Sequence, residues 1–555
     1  MKVKYLFLFI IYILPAQEKY SKDYFISPMD ISLSLTGTFS EIRTNHFHAG
    51  IDIPTNKKTG YPIFACADGY VSRIKVSPWG FGKAIYLNHP NGLTTVYAHL
   101  ENFNSEIQEF IKKEQYKKQK FSIDQSIDKE RFKISKGQII GYSGSTGNST
   151  GPHLHFEVRK TKNQKPINPL YFSFPIKDTI KPIIKSIFIY TENENFDLEK
   201  KEYQVNNKLI INEIISGKFG LGVEVYDKNN NTSVKTGINK IEIYINNDIH
   251  YKFELNEFLF SEKKFVNSHI DYKERINSRR KIHKCFLEKN NQLLNAYPYV
   301  KNSGWIMDLK NGKNFIDIVV CDNFNNKTKL SFTLNYENTN VEKKINNKNK
   351  LNEYYINSEK DYFFNSNNVN IMIKKGNLYK DCYFKFDIIK KEKKHSEYII
   401  GNKNNPLHKN FTISILPDEY LSNEKKIAIG QLKGGEWSYI KSRLKGNKIT
   451  CDAKSFGIFT VIQDDKKPTI KAINLNEIMT NQKSIKFKVK DNFSGINYYS
   501  ASINGEWVLL EYDAKNNLLE YFFEPKAKKK KQNKLILTVK DGLGNTNTQQ
   551  YFFER

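Results

Sequence analysis

The sequence predicts a mostly β chain: an antiparallel β domain in the N-terminal third, followed by a row of β-sandwich domains. Three observations predict it. Short alternating runs such as Gly69-Tyr70-Val71-Ser72-Arg73-Ile74 and Lys83-Ala84-Ile85-Tyr86-Leu87 recur between glycine turns, the period-two pattern of half-buried strands. The later part contains an internal repeat of alternating runs that end in Asp and an Asn/Gly turn. Finally, 555 residues are too many for one core, while 39% hydrophobic and 14% aromatic residues supply several small ones.

The expected organisation is an export signal at 1–16, a first domain at 17–176, a sandwich at 177–336, a further β-rich domain at 337–463 and a sandwich at 464–555. The repeat relates the two sandwiches. Asp178 to Pro182 aligns with Asp464 to Pro468, and Val223-Glu224-Val225-Tyr226-Asp227 with Phe487-Lys488-Val489-Lys490-Asp491. Gly237-Ile238-Asn239 with Ile245-Asn246 matches Gly495-Ile496-Asn497 with Ile503-Asn504 at identical spacing. Val319-Val320-Cys321-Asp322 with Asn326 matches Thr538-Val539-Lys540-Asp541 with Asn545. This pattern suggests sandwiches of immunoglobulin-like type. The domain between them opens with a polar Asn/Lys linker at 338–352 and has strands such as Asn370-Ile371-Met372-Ile373. In the first domain, Ser105 is positioned to cap a helix running to about Lys120.

At the N-terminus, Met1-Lys2-Val3-Lys4 precedes ten apolar residues (5–14, YLFLFIIYIL) and Pro15-Ala16-Gln17. The run is too short to span a bilayer comfortably, so it reads as a secretory signal cut after Ala16, with an uncleaved anchor as the rival. Export across the inner membrane to the periplasm or cell surface is expected, with no stable membrane span after cleavage. Lys+Arg outnumber Asp+Glu by 87 to 59, a net charge of +28. Such a surface favours anionic partners. No zinc finger, basic zipper or aromatic RNA-binding motif accompanies it, so nucleic acid is not an expected partner. The run Lys526-Ala527-Lys528-Lys529-Lys530-Lys531 reads as a solvated hairpin loop, with a contact for anionic wall or membrane as the alternative. The five cysteines (Cys66, Cys285, Cys321, Cys382, Cys451) form no C-x-x-C pair and read as buried strand residues, with one disulfide among the last four left open.

Three motifs of the first domain carry chemistry. His48-Ala49-Gly50-Ile51-Asp52 has helical spacing, but Gly50 and Pro54 place it on a loop entering a strand. Tyr97-Ala98-His99-Leu100 ends a β run, and Gly151-Pro152-His153-Leu154-His155-Phe156-Glu157 puts both histidines on one strand face. A His-x-His arises by chance about 0.2 times in a chain of this composition, so the conjunction of all three motifs weighs more than any one of them. Catalytic zinc takes three N/O ligands and keeps one position open, and two His and one Asp suffice for that, with two His left over. His46 and His89 read as polar surface or groove-lining residues.

Residues 27–159 resemble peptidase family M23, the lysostaphin and LytM-type zinc endopeptidases. The resemblance rests on Asn45-His46-Phe47-His48-Ala49-Gly50-Ile51-Asp52, on Tyr97-Ala98-His99-Leu100, on Lys136-Gly137-Gln138-Ile139-Ile140-Gly141, and on the stretch from Ser143 to Glu157. It implies an antiparallel LytM-like (duplicated hybrid motif) β fold, with Zn2+ held by His48, Asp52 and His155. His99 and His153 would handle water and the developing oxyanion. An insertion at about 102–133 departs from a minimal member and is positioned to wall one end of the groove. The glycine-rich 143–151 segment lacks a P-loop lysine and reads as the turn that presents His153 and His155.

The expected function is a secreted zinc metalloendopeptidase that hydrolyses peptidoglycan stem peptides or cross-links, with peptidoglycan as partner and envelope proteins meeting the sandwich domains. The alternative is a non-catalytic envelope scaffold or activator that binds wall or a partner hydrolase.

Overall fold

The computed structural model describes residues 21–193, 197–206, 209–307, 309–338, 352–390, 395–417, 426–523 and 532–555. The export segment at 1–16, most of the 338–352 linker and the lysine run at 526–531 lie outside the described residues.

Five strands organise the first domain: β1 (Ile51–Pro54), β2 (Gly69–Val76), β3 (Lys83–Asn88), β4 (Leu93–Leu100) and β5 (His153–Lys160). They form the centre of an eight-stranded antiparallel sheet in the order β2-β3-β4-β5, with β1 pairing to β5. Period-two alternation decides the faces. Leu154, Phe156 and Val158 are fully buried in the core with Tyr97 and Ile85, so His153, His155, Glu157 and Arg159 share the opposite face. The expected helix is present as α1 (Ser105–Lys118), buried through Ile107, Ile111 and Gln115. Its cap is Asn104, not Ser105: the Asn104 side chain accepts the Ile107 amide at 3.0 Å. The amide-bearing residue wins because its oxygen reaches the third residue of the first turn.

The remainder is β-sandwich, as the alternating runs predict. Sheets of five and six strands enclose one core between 183 and 337, and sheets of six and five strands enclose another between 353 and 463. Two four-stranded sheets make the last layer pair, and their core joins that of the first domain. Around that junction Lys83 Nζ donates to Glu511 at 3.0 Å, and Tyr116 of α1 meets Trp507 edge-on at 5.1 Å. The insertion that carries α1 therefore supports the last domain.

The repeat seen in the sequence is bonded alike in both copies. Asn246-Asn247 and Asn504-Gly505 make hairpin turns with positive φ at both residues, where asparagine and glycine are favoured. Asn246 donates to Asn314 at 2.9 Å, and Asn504 to Asn533 at 2.9 Å. Their Oδ1 atoms accept the amides of Phe315 and Lys534, respectively. All five cysteines are buried and free, so the disulfide left open among the last four does not form. Among the described residues no helix is long and apolar enough to cross a membrane.

Candidate metal centre

Strand register builds the site. In the β1–β5 pair Asp52 lies directly opposite His155, and β5 places His155 against Ala98 of β4. His48 sits on the loop entering β1, as the sequence predicts. Gly50 is what lets that loop in: a Cβ there would stand 2.3 Å from the Phe156 carbonyl. His99 reaches the site through an irregularity. Between Lys83 and Ile85 the register of β3 slips by one residue against β4, and His99 takes φ +61. A β-bulge of this kind re-aims a side chain. It lets Tyr97 and Leu100, three apart, both return to the core while His99 faces the histidines of β5.

His48 Nε2, His155 Nδ1 and Asp52 Oδ1 converge, at 3.1 Å between the two rings, 3.1 Å from His48 to Asp52 and 2.9 Å from His155 to Asp52. Tetrahedral zinc with bonds of 2.0–2.1 Å needs ligand atoms about 3.3 Å apart, so the donor set fits the ion in both spacing and chemistry. The remaining ring nitrogens are occupied in the sense a metal requires. His48 Nδ1 donates to the Thr38 carbonyl at 2.9 Å, and His155 Nε2 donates to Glu157 at 2.8 Å. Each bond leaves the facing nitrogen with a lone pair for the centre. Burial would raise the Asp52 pKa, but His48 and His155 outweigh it and hold the carboxyl well below the usual range. Burial would likewise raise Glu157, but Arg159, at 2.5 Å, and His155 hold it at about 2.

His99 and His153 flank this group with ring centroids 4.8 Å apart. His99 Nδ1 donates to the Thr146 carbonyl at 2.9 Å and His153 Nδ1 to the Gly151 carbonyl at 2.8 Å. The 143–151 loop therefore orients both rings, as the sequence suggests, and turns both Nε2 atoms away from it. Burial and the neighbouring His155 and His153 push His99 down to about 3, and burial lowers His153 as well. Both rings are neutral at neutral pH. His46 is exposed, as expected. His89 is not at a groove: it is buried, bonded to the Asp68 carbonyl and to Thr95 Oγ1 at 2.8 Å each, because these two partners satisfy both ring nitrogens within the core.

Several contributors escape motif reading. Phe81 stacks on His155 at 5.1 Å. Arg43 binds the second oxygen of Asp52 at 3.0 Å and is tied to Glu41, which Lys281 of the following sandwich also holds. Thr38 and Ser40 donate to the carbonyls of Gly237 and Ile238, while Phe39 and Phe47 lie in the sandwich core. The second domain thus braces the segment that fixes His48. Glu157 and Arg159 could have been read from the sequence, since β5 alternation puts them in line with the two histidines. Glu157→Gln should weaken zinc binding about 10- to 100-fold while leaving the fold intact, as read by competition with a chelator of known affinity.

With this geometry in view, the comparisons with known proteins are specific. The profile of peptidase family M23 matches residues 46–116 and 122–169. The chain carries an M23 peptidase domain. A second profile, the Zu5-like domain, matches 353–464. The M23 segment is 34% identical over 134 residues to the DD-carboxypeptidase/endopeptidase Mpg of Neisseria meningitidis, covering 24% of each chain. It is 31% identical over 128 residues to lysostaphin of Staphylococcus staphylolyticus, covering 22% of each. It is 29% identical over 135 residues to the peptidoglycan DD-endopeptidase ShyA of Vibrio cholerae, covering 24% of this chain and 25% of that one. The chain thus spans about a quarter of these relatives' length. Among solved structures, the catalytic domain of the M23 protein EnpA from Enterococcus faecalis is 28% identical, with a TM-score of 0.19, covering 25% of this chain and 88% of that one.

Proposed function

We propose that the protein is an exported zinc metalloendopeptidase that hydrolyses peptide bonds in peptidoglycan stem peptides or cross-links. The observation that carries this reading is the convergence of His48, Asp52 and His155 on one point, flanked by two neutral histidines held to the 143–151 loop through Nδ1. Bound by the three, zinc would supply a Lewis acid that polarises a carbonyl and lowers the pKa of water toward about 7. Asp52 and His155 hold the centre, and Glu157 with Arg159 keeps the His155 ring in its ligating tautomer. His99 and His153 present Nε2 lone pairs, one of which can take a proton from the attacking water; the imidazolium so formed can face the developing oxyanion and then pass that same proton to the leaving amine. His153, with its side chain 16% exposed, is the most open of the five and marks the side from which a peptide approaches.

The likeness to the peptidoglycan DD-endopeptidase ShyA supports a wall peptide as substrate, and that to the DD-carboxypeptidase/endopeptidase Mpg supports peptide-bond cleavage. The net charge of +28 suits an anionic wall polymer, and the short apolar run at 5–14 supports export. Digestion of purified peptidoglycan, followed by mass analysis of the released muropeptides, tests the proposal. Peptide-bond cleavage that stops with a chelator and returns with zinc is the expected result. Cleavage that persists in chelator, or none under any loading, would rule it out.

A further inference from the structure

Away from the peptidase site, two further groups of three carboxylates bring one oxygen each within 4.8 Å of the others: Asp178, Asp227 and Asp322, and Asp464, Asp491 and Asp541. They occupy matching positions in the internal repeat. In each, the first Asp lies on the segment that enters the sandwich, the second at the end of one strand, and the third at the end of another. The turn after the third Asp is built alike in both copies. Asp322 Oδ1 accepts the amides of Phe324 and Asn326, at 2.7 and 2.9 Å. Asp541 Oδ1 accepts those of Leu543 and Asn545, at 2.9 and 2.8 Å. The Asn side chain then ties the third Asp to the first, since Asn326 reaches the Asp178 carbonyl at 3.2 Å and Asn545 the Asp464 carbonyl at 2.7 Å.

These hydrogen bonds leave acceptors over. Asp227 is 1% exposed, and neither of its carboxylate oxygens has a donor in hydrogen-bond geometry; the Lys228 amide eases its burial only in part. Asn229, 2% exposed, donates to Asp178 Oδ2 at 2.7 Å, yet its own Oδ1 is unpartnered. In the second copy the surplus is smaller and sits on other atoms: half-buried Asp491 accepts the Phe493 and Gly495 amides through Oδ2 at 3.0 and 2.8 Å but leaves Oδ1 unpartnered, and Asn545, 3% exposed, has its Oδ1 unpartnered. Among the described residues no Lys or Arg forms an ion pair with any of the six carboxylates. Buried like charges with spare oxygen lone pairs are costly unless a cation sits among them.

We propose that each triad binds one calcium ion. An all-oxygen donor set of three carboxylates suits a hard cation and excludes the softer metals. Calcium accepts such protein cages at about 2.3–2.6 Å with loose geometry, whereas magnesium demands a tight octahedron and keeps much of its water. The location gives the ions a task. Asp178 follows Ile176, which bridges to Leu33 of the peptidase domain, and the Asp464 amide donates to the Lys426 carbonyl of the preceding sandwich at 2.9 Å. Calcium would therefore fix the two junctions at which the chain enters a repeat.

The test uses the full chain, stripped by chelator and equilibrated with calcium. Two calcium ions per chain should bind, falling to one in Asp227→Asn and one in Asp541→Asn. Cleavage by endoproteinase Lys-C at Lys177, Lys181, Lys466 and Lys467 gives a second reading. Calcium at one hundred times its Kd should slow it about 100-fold, if these sites are cut from an opened state that does not bind the ion. Fewer than two ions per chain in the unmutated protein, two ions persisting in both variants, or equal protection by magnesium would overturn the proposal. The outcome is independent of the peptidase reading, because none of these residues touches the His48–Asp52–His155 group.

Discussion

His155→Ala should lose metal and hydrolysis together. The ring bonds both the Asp52 carboxylate and the Glu157 of the Glu157–Arg159 pair, so its removal takes away one ligand and strands a buried carboxylate. Loss of a direct ligand should exceed the 10- to 100-fold penalty of a supporting residue, leaving less than about 0.1 zinc per chain after dialysis and no measurable turnover. Wall digestion by the zinc-free variant at the wild-type rate would remove this centre from the chemistry. The same ring makes loading pH-dependent. Burial alone would keep it neutral, but hydrogen bonds that it donates to Asp52 and Glu157 raise it to about 9 in the metal-free chain. Since that value lies above the unfolded one of 6.5, the ion-pair stabilisation it brings is complete below pH 6.5 and fades as pH rises through about 9. Zinc has to displace that proton, so loading at pH 7 should release about one proton per ion, falling toward none above pH 9. Calorimetry in buffers of different ionisation enthalpy measures it.

The sequence exposes most of this centre because its geometry follows from short-range rules. Two residues apart on a strand means one face, a rule that yields the His153/His155 pair and extends to Glu157 and Arg159. What remains hidden depends on long-range contact. No local pattern shows that Asp52 meets His155 in register, or that His99 needs a bulge to face them. Nor does any show that Thr38, whose carbonyl fixes the His48 tautomer, is itself braced by Gly237, 199 residues away. His89 shows the converse limit. Its buried, satisfied state depends on Asp68 and Thr95, which a motif scan treats as background. The carboxylate triads were legible only in part. The repeat aligned all six Asp, but alignment cannot show that their oxygens converge or which of them lack donors.

His99→Asn and His153→Ala should separate binding from turnover. Both rings are anchored through Nδ1 to the 143–151 loop and neither belongs to the converging ligand set, so each variant should keep about one zinc per chain. Asparagine is the replacement at position 99 because it tolerates the left-handed backbone there, φ +61, where most residues would add strain. A lost proton-transfer or oxyanion group costs about 10²- to 10⁴-fold in turnover, and the fall should appear in kcat more than in KM. If the two rings work as a unit, the double variant should be scarcely slower than the worse single one, because once either is gone the other has no partner through which to move the proton. Zinc content falling in step with activity in either variant would mean that the ring holds the centre together rather than acting on the peptide. His153 is the more exposed to that outcome, since its Nε2 lies 3.6 Å from Asp52 Oδ1.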